Sequence, residues 1–207
     1  MSAREDNPLD VKMPPLKITC TSVDCEHNLH CFLKRRGMRV EDHGSCRACG
    51  AKLVDWRRLH RRDPKDTENT FKSLKFETIR HHMWHVPLDE DALRKAYNQG
   101  RTKLHADVVS RLRSSIGKAA GGFDGRQTPM QGRAVYYAQH ATATCCRKCL
   151  EYWHGIPKDR PLTDKELAYA TILVQAYLDD RLPDLDDDPT PKALQKKTKR
   201  KETLGYK

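Results

Sequence analysis

The residues able to do chemistry in this chain are its eight cysteines and ten histidines, and they fall in clusters. Cys20 and Cys25 are separated by four residues, and Cys46 and Cys49 form a C-x2-C pair followed by Gly50. Such a turn points two sulfurs at one ion, and the glycine accepts the left-handed backbone that the turn requires. Two pairs together supply four thiolates for a tetrahedral zinc. Cys20, Cys25, Cys46 and Cys49 are therefore the expected ligands of a structural metal, with His27, His30 and Cys31 between the pairs as alternates.

A second cluster runs from His140 to His154 and contains Cys145, Cys146 and Cys149. Cys146 and Cys149 repeat the C-x2-C spacing at an expected helix N-terminus, with Thr144 as N-cap. There the helix dipole and the neighbouring Arg147 and Lys148 favour the thiolate. His140 precedes the pair by a short loop and His154 follows Cys149 by about a turn, so both are candidate ligands, with Cys145 as a third thiol. Upstream, His81, His82 and His85 stand within five positions, and His81 and His85 share a helix face at i, i+4. The mixture of sulfur and nitrogen donors favours zinc over an iron–sulfur cluster, and two zinc ions are expected.

A structural zinc fills all four positions with protein ligands, whereas a catalytic one keeps a position open. Zinc deaminases pair a histidine and a nearby glutamate with a later P-C-x2-C; His140 has no adjacent glutamate, so only the cysteine half is present. A metal-dependent hydrolase at the second centre, either a nuclease or a base-modifying enzyme, is the enzymatic alternative. A zinc-stabilised adaptor for another protein is a third reading.

Charge directs the leading expectation. The chain of 207 residues carries 39 Lys+Arg against 28 Asp+Glu, a net charge of +11. Surplus positive charge suits a polyanionic partner, and nucleic acid is the first candidate. Arg57, Arg58, Arg61 and Arg62 cluster beside Trp56, an arrangement able to touch phosphates and stack a base. Arg94 to Lys118 carries seven basic residues against one acid and includes Arg111 and Arg113. Arg126, in the glycine-rich segment from Gly125 to Gly132, could help to bind an anion. The tail from Lys192 is also basic and reads equally well as a solvated run.

The elements that must position these residues are mostly helical. Leu, Ile, Val and Phe number 38 in all, below the roughly 20% at which a highly charged chain can sustain an ordinary core. Metal is thus expected to supplement hydrophobic burial. No apolar run approaches the ~20 residues of a membrane span, and the N-terminus lacks the apolar core of a signal peptide, so a cytoplasmic location with no membrane partner is expected. The expected fold is α+β and mostly α-helical. A flexible leader (1–17) precedes a small zinc-ribbon-like module of short strands and loops (18–62). A helical domain with the second centre (63–183) and a charged disordered tail (184–207) follow. Phe76, Ile79, Met83 and Val86 lie on one helical face that Pro87 ends. Asp89 caps a short helix ending before Gly100, and Leu104, Val108, Leu112 and Ile116 stripe the next. Residues 134–138 have strand character. Thr163 and Glu166 form a capping box at the start of a last helix, and the acidic run after Pro183 is expected to end the folded part.

The segments Gly125-Arg-Gln-Thr-Pro-Met-Gln-Gly132, Ala138-Gln-His-Ala-Thr-Ala-Thr-Cys-Cys-Arg-Lys-Cys-Leu150 and Trp153-His-Gly-Ile-Pro157, with Leu162-Thr163, carry a resemblance. They resemble the signature of a bacterial domain-of-unknown-function family, over about residues 71–180. The resemblance implies a small α-rich domain with a metal-binding centre and implies no particular activity. It also singles out His82 as the family's helical histidine, so His82, His140, Cys146 and Cys149, with Cys145 and His154 as alternates, form the expected second ligand set. Short family members lack the N-terminal cysteine module.

Overall fold

A computed structural model describes residues 18–121, 124–125 and 127–189. The expected leader, Arg126 and the basic tail from Lys192 lie outside the described residues. The described chain is mostly helical: α1 (Trp56–Leu59), α2 (Thr67–Leu74), α3 (Thr78–His85), α4 (Glu90–Ile116), α5 (Ala134–Ala141), α6 (Arg147–His154) and α7 (Asp164–Arg181). Among the described residues, no helix is long and apolar enough to cross a membrane.

The helix boundaries follow local chemistry. Asp89 accepts a hydrogen bond from the Ala92 N–H at 2.8 Å and starts α4. Thr163 and Glu166 form a reciprocal capping box at α7. Pro87 follows α3, whose last carbonyls are then capped from α7. Tyr177 Oη donates to the Met83 carbonyl at 2.6 Å, and Arg181 donates to Trp84 and, at 2.8 Å, to Val86. A cation at a helix C-terminus meets both unpaired carbonyls and the negative end of the dipole.

Residues 134–138 are helical, at the start of α5, rather than extended. Two of these five residues are alanine, the strongest helix former, and only Val135 is β-branched. Ala134, Val135, Tyr137 and Ala138 are all buried, so the aromatic character reflects a core position, not a sheet. The following helix starts later than Thr144: Cys146 is its N-cap and accepts from the Cys149 N–H at 3.4 Å. Thr144 is buried instead, beside Thr142.

α3 packs on α5, and α4 and α5 pack on α7. The main core between them includes Ile79, Met83 and the stripe Leu104, Val108, Leu112 and Ile116. A smaller core joins the cysteine-rich segment to the helices, through Phe32, Cys46, Leu59, Leu74, Cys145, Cys146, Cys149 and Trp153. The cysteine-rich segment is built from turns. Among the described residues, β pairing is confined to two isolated bridges, Asp24 with Leu29 and His30 with Glu77.

α4 breaks at Gly100, which has φ +73°. The acidic run packs into this break rather than ending before it. Leu185 is buried, and the Asp186 and Asp187 carbonyls accept from the Arg101 and Thr102 N–H groups at 2.8 and 3.3 Å. The second half of α4 thus begins against acidic residues, where the dipole favours them. A Cβ on Gly100 would lie 2.6 Å from the Asp187 carbonyl oxygen. Gly100→Ala adds this backbone clash to a strained positive φ, and is expected to destabilise the protein by about 2–4 kcal/mol in urea denaturation.

Candidate metal centres

The first centre is built by Cys25, His30, Cys46 and Cys49, whose ligand atoms all lie within 4.8 Å of one another. Cys25 opens a 3-10 turn (Cys25–His27) that ends at Asn28, with φ 60°. Cys46 and Cys49 sit on the expected turn: the Gly50 N–H donates to the Cys46 carbonyl at 2.8 Å, and Gly50 has φ +78°. The Cys25 and Cys46 sulfurs are 3.8 Å apart, and Cys49 Sγ is 3.5 Å from His30 Nδ1. His30 Nε2 lies 3.1 Å from the Asn28 side-chain oxygen, a contact that orients the ring with Nδ1 toward the sulfurs.

Protonation at this group is divided between the sulfurs. Burial works against the Cys46 thiolate, but hydrogen bonds from the backbone of Cys49, Cys31 and Ala48, then from His30, outweigh it and bring Cys46 down to about 6. Cys25 is pushed up to about 12, by burial first and then by sharing hydrogen bonds with Cys49 and Cys46. Sulfurs in such contact compete for one proton, and a cation placed among them removes the conflict.

The expected ligand Cys20 is not part of this group, and His30 from the alternates stands in its place. His30 is fixed there by the bridge to α3: its N–H donates to the Phe76 carbonyl at 2.8 Å, and the Thr78 N–H donates to its carbonyl at 2.9 Å. Among the other alternates, His27 faces Asp24, and Cys31 is buried with its sulfur donating to the Cys20 carbonyl at 3.1 Å.

The second centre is a buried trio, Cys145, Cys146 and Cys149, with all sulfurs within 4.8 Å of one another. Both clusters could hold metal ions. The structure does not bring the expected histidines into the trio. His154 is fully buried with both ring nitrogens engaged, Nε2 with the Thr142 carbonyl at 2.9 Å and Nδ1 with the Tyr169 hydroxyl at 3.2 Å. His140 donates from Nε2 to the Pro129 carbonyl at 3.2 Å. His82 is half-buried on α3, outside both groups, while His81 and His85 stack on each other with ring centroids 4.1 Å apart.

The positive charge at the trio comes from Arg80, which sequence reasoning missed. Its guanidinium is 1% exposed and donates to Cys149 Sγ at 3.0 Å, to Cys145 Sγ at 3.7 Å and to the His140 carbonyl at 2.6 Å. Glu77, equally buried, accepts from Arg80 Nε at 2.9 Å and from Trp153 Nε1 at 3.0 Å. Arg147, expected to favour the thiolates, instead turns to carbonyls, donating to Ile116 at 3.0 Å and Arg160 at 2.8 Å. Cys146 is pushed up to about 12, first by its hydrogen bond with Cys145 and, against an opposing contact with Cys149, by burial.

The expected phosphate-contacting arginines divide in two. Arg57, Arg61 and Arg113 are exposed. Arg58 is held by Asp66 through two hydrogen bonds of 2.7 Å. Arg62 caps α6 through the His154 and Gly155 carbonyls, and Arg111 binds the Gln127 carbonyl at 2.7 Å while lying over Tyr136. Beside α1 and α6 lies an open groove of about 530 Å³, lined by Lys34, His43, Trp56, His60, Lys148 and Tyr152 among others. Trp56 is anchored by its N–H to the Gly44 carbonyl at 2.8 Å and packs edge-on to Tyr152. Lys34 and Lys148 are exposed, and Lys158 is paired with Glu151 at 2.6 Å.

Burial, then the Thr142 contact working the other way, leaves His154 at about 4, well below its ordinary 6.5. A ring buried neutral contributes stability that is complete above pH 6.5 and is lost as the pH falls from there to about 4. That loss is on the order of 3 kcal/mol for a shift of this size. His154→Gln is therefore expected to be less stable than the parent at pH 7, yet to lose about 2 kcal/mol less between pH 6.5 and 4.5. Urea midpoints of both proteins at the two pH values check this, since proton-driven metal loss affects both alike.

A family model described as a domain of unknown function (DUF4186) matches residues 68–179. The matched segment includes Glu77, Arg80 and the cysteine trio, and begins after the first centre. No solved structure matches the chain.

Proposed function

The chain belongs to the DUF4186 family of domains of unknown function; from its first donor set and the groove beside Trp56 we propose that it is a zinc-stabilised nucleic-acid-binding protein. Zinc suits the first donor set. A tetrahedral ion with Zn–S of about 2.3 Å and Zn–N of about 2.0 Å separates two sulfurs by about 3.8 Å and a sulfur from a nitrogen by about 3.5 Å. The corresponding separations here are 3.8 Å for Cys25 with Cys46 and 3.5 Å for Cys49 with His30. With four protein donors, this zinc would be structural, supplying folding free energy to a segment that has few apolar side chains.

The groove beside Trp56 carries the nucleic-acid reading. Trp56 and Tyr152 offer aromatic surface, and Lys34 and Lys148 bring cations to the same opening without a partner among the described residues. Aromatic faces that stack bases, next to cations that follow the backbone, are the elements of single-strand binding. The +11 charge adds long-range attraction. Arg57, Arg61 and Arg113, which are exposed, are the arginines left to extend the contact.

Binding of a fluorescent single-stranded oligonucleotide, measured by anisotropy over 50–200 mM salt, tests the proposal. Affinity should fall steeply with salt, and the double substitution Lys34→Glu and Lys148→Glu should weaken it roughly tenfold and reduce the slope of log K against log salt by about 2. Weak binding that ignores salt, or a double variant that binds as the parent does, counts decisively against it.

A further inference from the structure

We propose that the loop between His30 and Cys46 carries a second phosphate-binding site, at an opening next to the Trp56 groove, and that an ion in the first centre holds this loop in place. A single strand whose bases stack in the groove would run over the loop and lay its next phosphates against Arg35 and Arg36. This rests on reading the groove as a nucleic-acid site, and the experiment below separates the two.

Continuity is the first argument. An opening of about 400 Å³ is lined by Arg35, Gly37, Arg39, Ser45, Cys46 and Arg47 among others. The same loop lends Leu33, Lys34, His43 and Gly44 to the Trp56 groove. Lys34 and Arg35, one peptide step or about 3.8 Å apart, therefore stand at the edges of the two openings. A chain leaving one passes directly into the other. Residues 34–47 hold five basic side chains against two acids, Glu41 and Asp42. Those acids hold Arg39, at 3.3 and 3.0 Å. Arg35 and Arg36 are exposed, and their side chains have no partner among the described residues. Unpaired guanidinium groups beside an aromatic groove suit phosphate, which they can grip through paired hydrogen bonds.

The second argument is how the loop is held. None of residues 33–44 is buried, so little apolar packing fixes their course. They run instead through successive tight turns. The Met38, Asp42 and Ser45 N–H groups donate to the Arg35, Arg39 and Asp42 carbonyls, each at 3.1 Å. Gly37, with φ +76°, is the left-handed residue that the first turn needs, and this turn displays Arg35 and Arg36. The loop is tied down at its base. The Arg47 N–H donates to the Cys31 carbonyl at 2.8 Å. His30 and Cys46, which flank the loop, both belong to the first centre, with donor atoms within 4.8 Å of each other. An ion there would cross-link the two ends of the loop, and so reduce the entropy lost when a strand orders it.

The test uses the full chain loaded with zinc and single-stranded oligonucleotides of increasing length. It reads anisotropy and limited digestion by trypsin, which cuts after Lys34, Arg35 and Arg36. Affinity should rise with length until the strand reaches past the groove, and only the longer strands should protect the loop of the parent from trypsin. The double substitution Arg35→Gln and Arg36→Gln should bind the shortest oligonucleotide as the parent does. It should bind the longer ones roughly tenfold more weakly and lower their slope of log K against log salt by about 1.5. Removing zinc should speed cleavage in the loop and weaken long-strand binding in the same way. A parent that binds no oligonucleotide refutes the groove and this site together. Binding that depends on Lys34 and Lys148, with the arginine variant unchanged at every length and the loop still cut, overturns the second site alone. Zinc removal that alters neither cleavage nor affinity overturns the part given to the ion.

Discussion

The buried pair of Glu77 and Arg80 is the constraint around which the rest is arranged. Two opposite charges, each 1% exposed, are costly to bury and persist here as a pair. Their other partners come from the cysteine loop and α6. Arg80 takes the carbonyl before the cysteine loop and two of its sulfurs, while Glu77 takes the indole N–H of α6. The residues flanking Glu77 bond to His30, a member of the first sulfur group. One turn of chain at the start of α3 thus touches both candidate centres, and displacement of either charge would leave the other stranded in the interior.

Most of the helices were legible because their signals are local; α5 was not, its Val135-Tyr136-Tyr137 run reading as a strand in isolation. Asp89, Thr163 with Glu166, Pro87 and the i+4 stripe of α4 act within a few residues of themselves, so spacing alone identified them. The turn at Cys46 and Cys49 was readable for the same reason. What was not legible depends on contacts across long separations. Arg80 reads in isolation as one more surface cation, and nothing near it in sequence announces a bond to a sulfur sixty-nine positions away. Cys20 pairs naturally with Cys25 by spacing, yet the fold takes His30. His154 and His140 looked like ligands because of their neighbours, but burial assigns their nitrogens to carbonyls and a hydroxyl.

Much of the positive charge is also placed differently from its appearance in the sequence. Arg80, Arg101, Arg147 and Arg181 bind carbonyl groups inside the fold, often at helix ends. In a chain with only 38 strong core formers, these multidentate cations knit loops to helices where larger proteins use aliphatic packing. The net charge therefore overstates what faces an external polyanion, and the exposed lysines of the groove weigh more than their number suggests.

The bridge between His30 and α3 has a consequence for how the molecule comes apart. His30, a candidate metal ligand, is bonded through its backbone on both sides of Glu77, so unravelling the start of α3 would also disturb the group that could hold an ion. Loosening of the cysteine-rich segment and of α3 should therefore be coupled rather than independent.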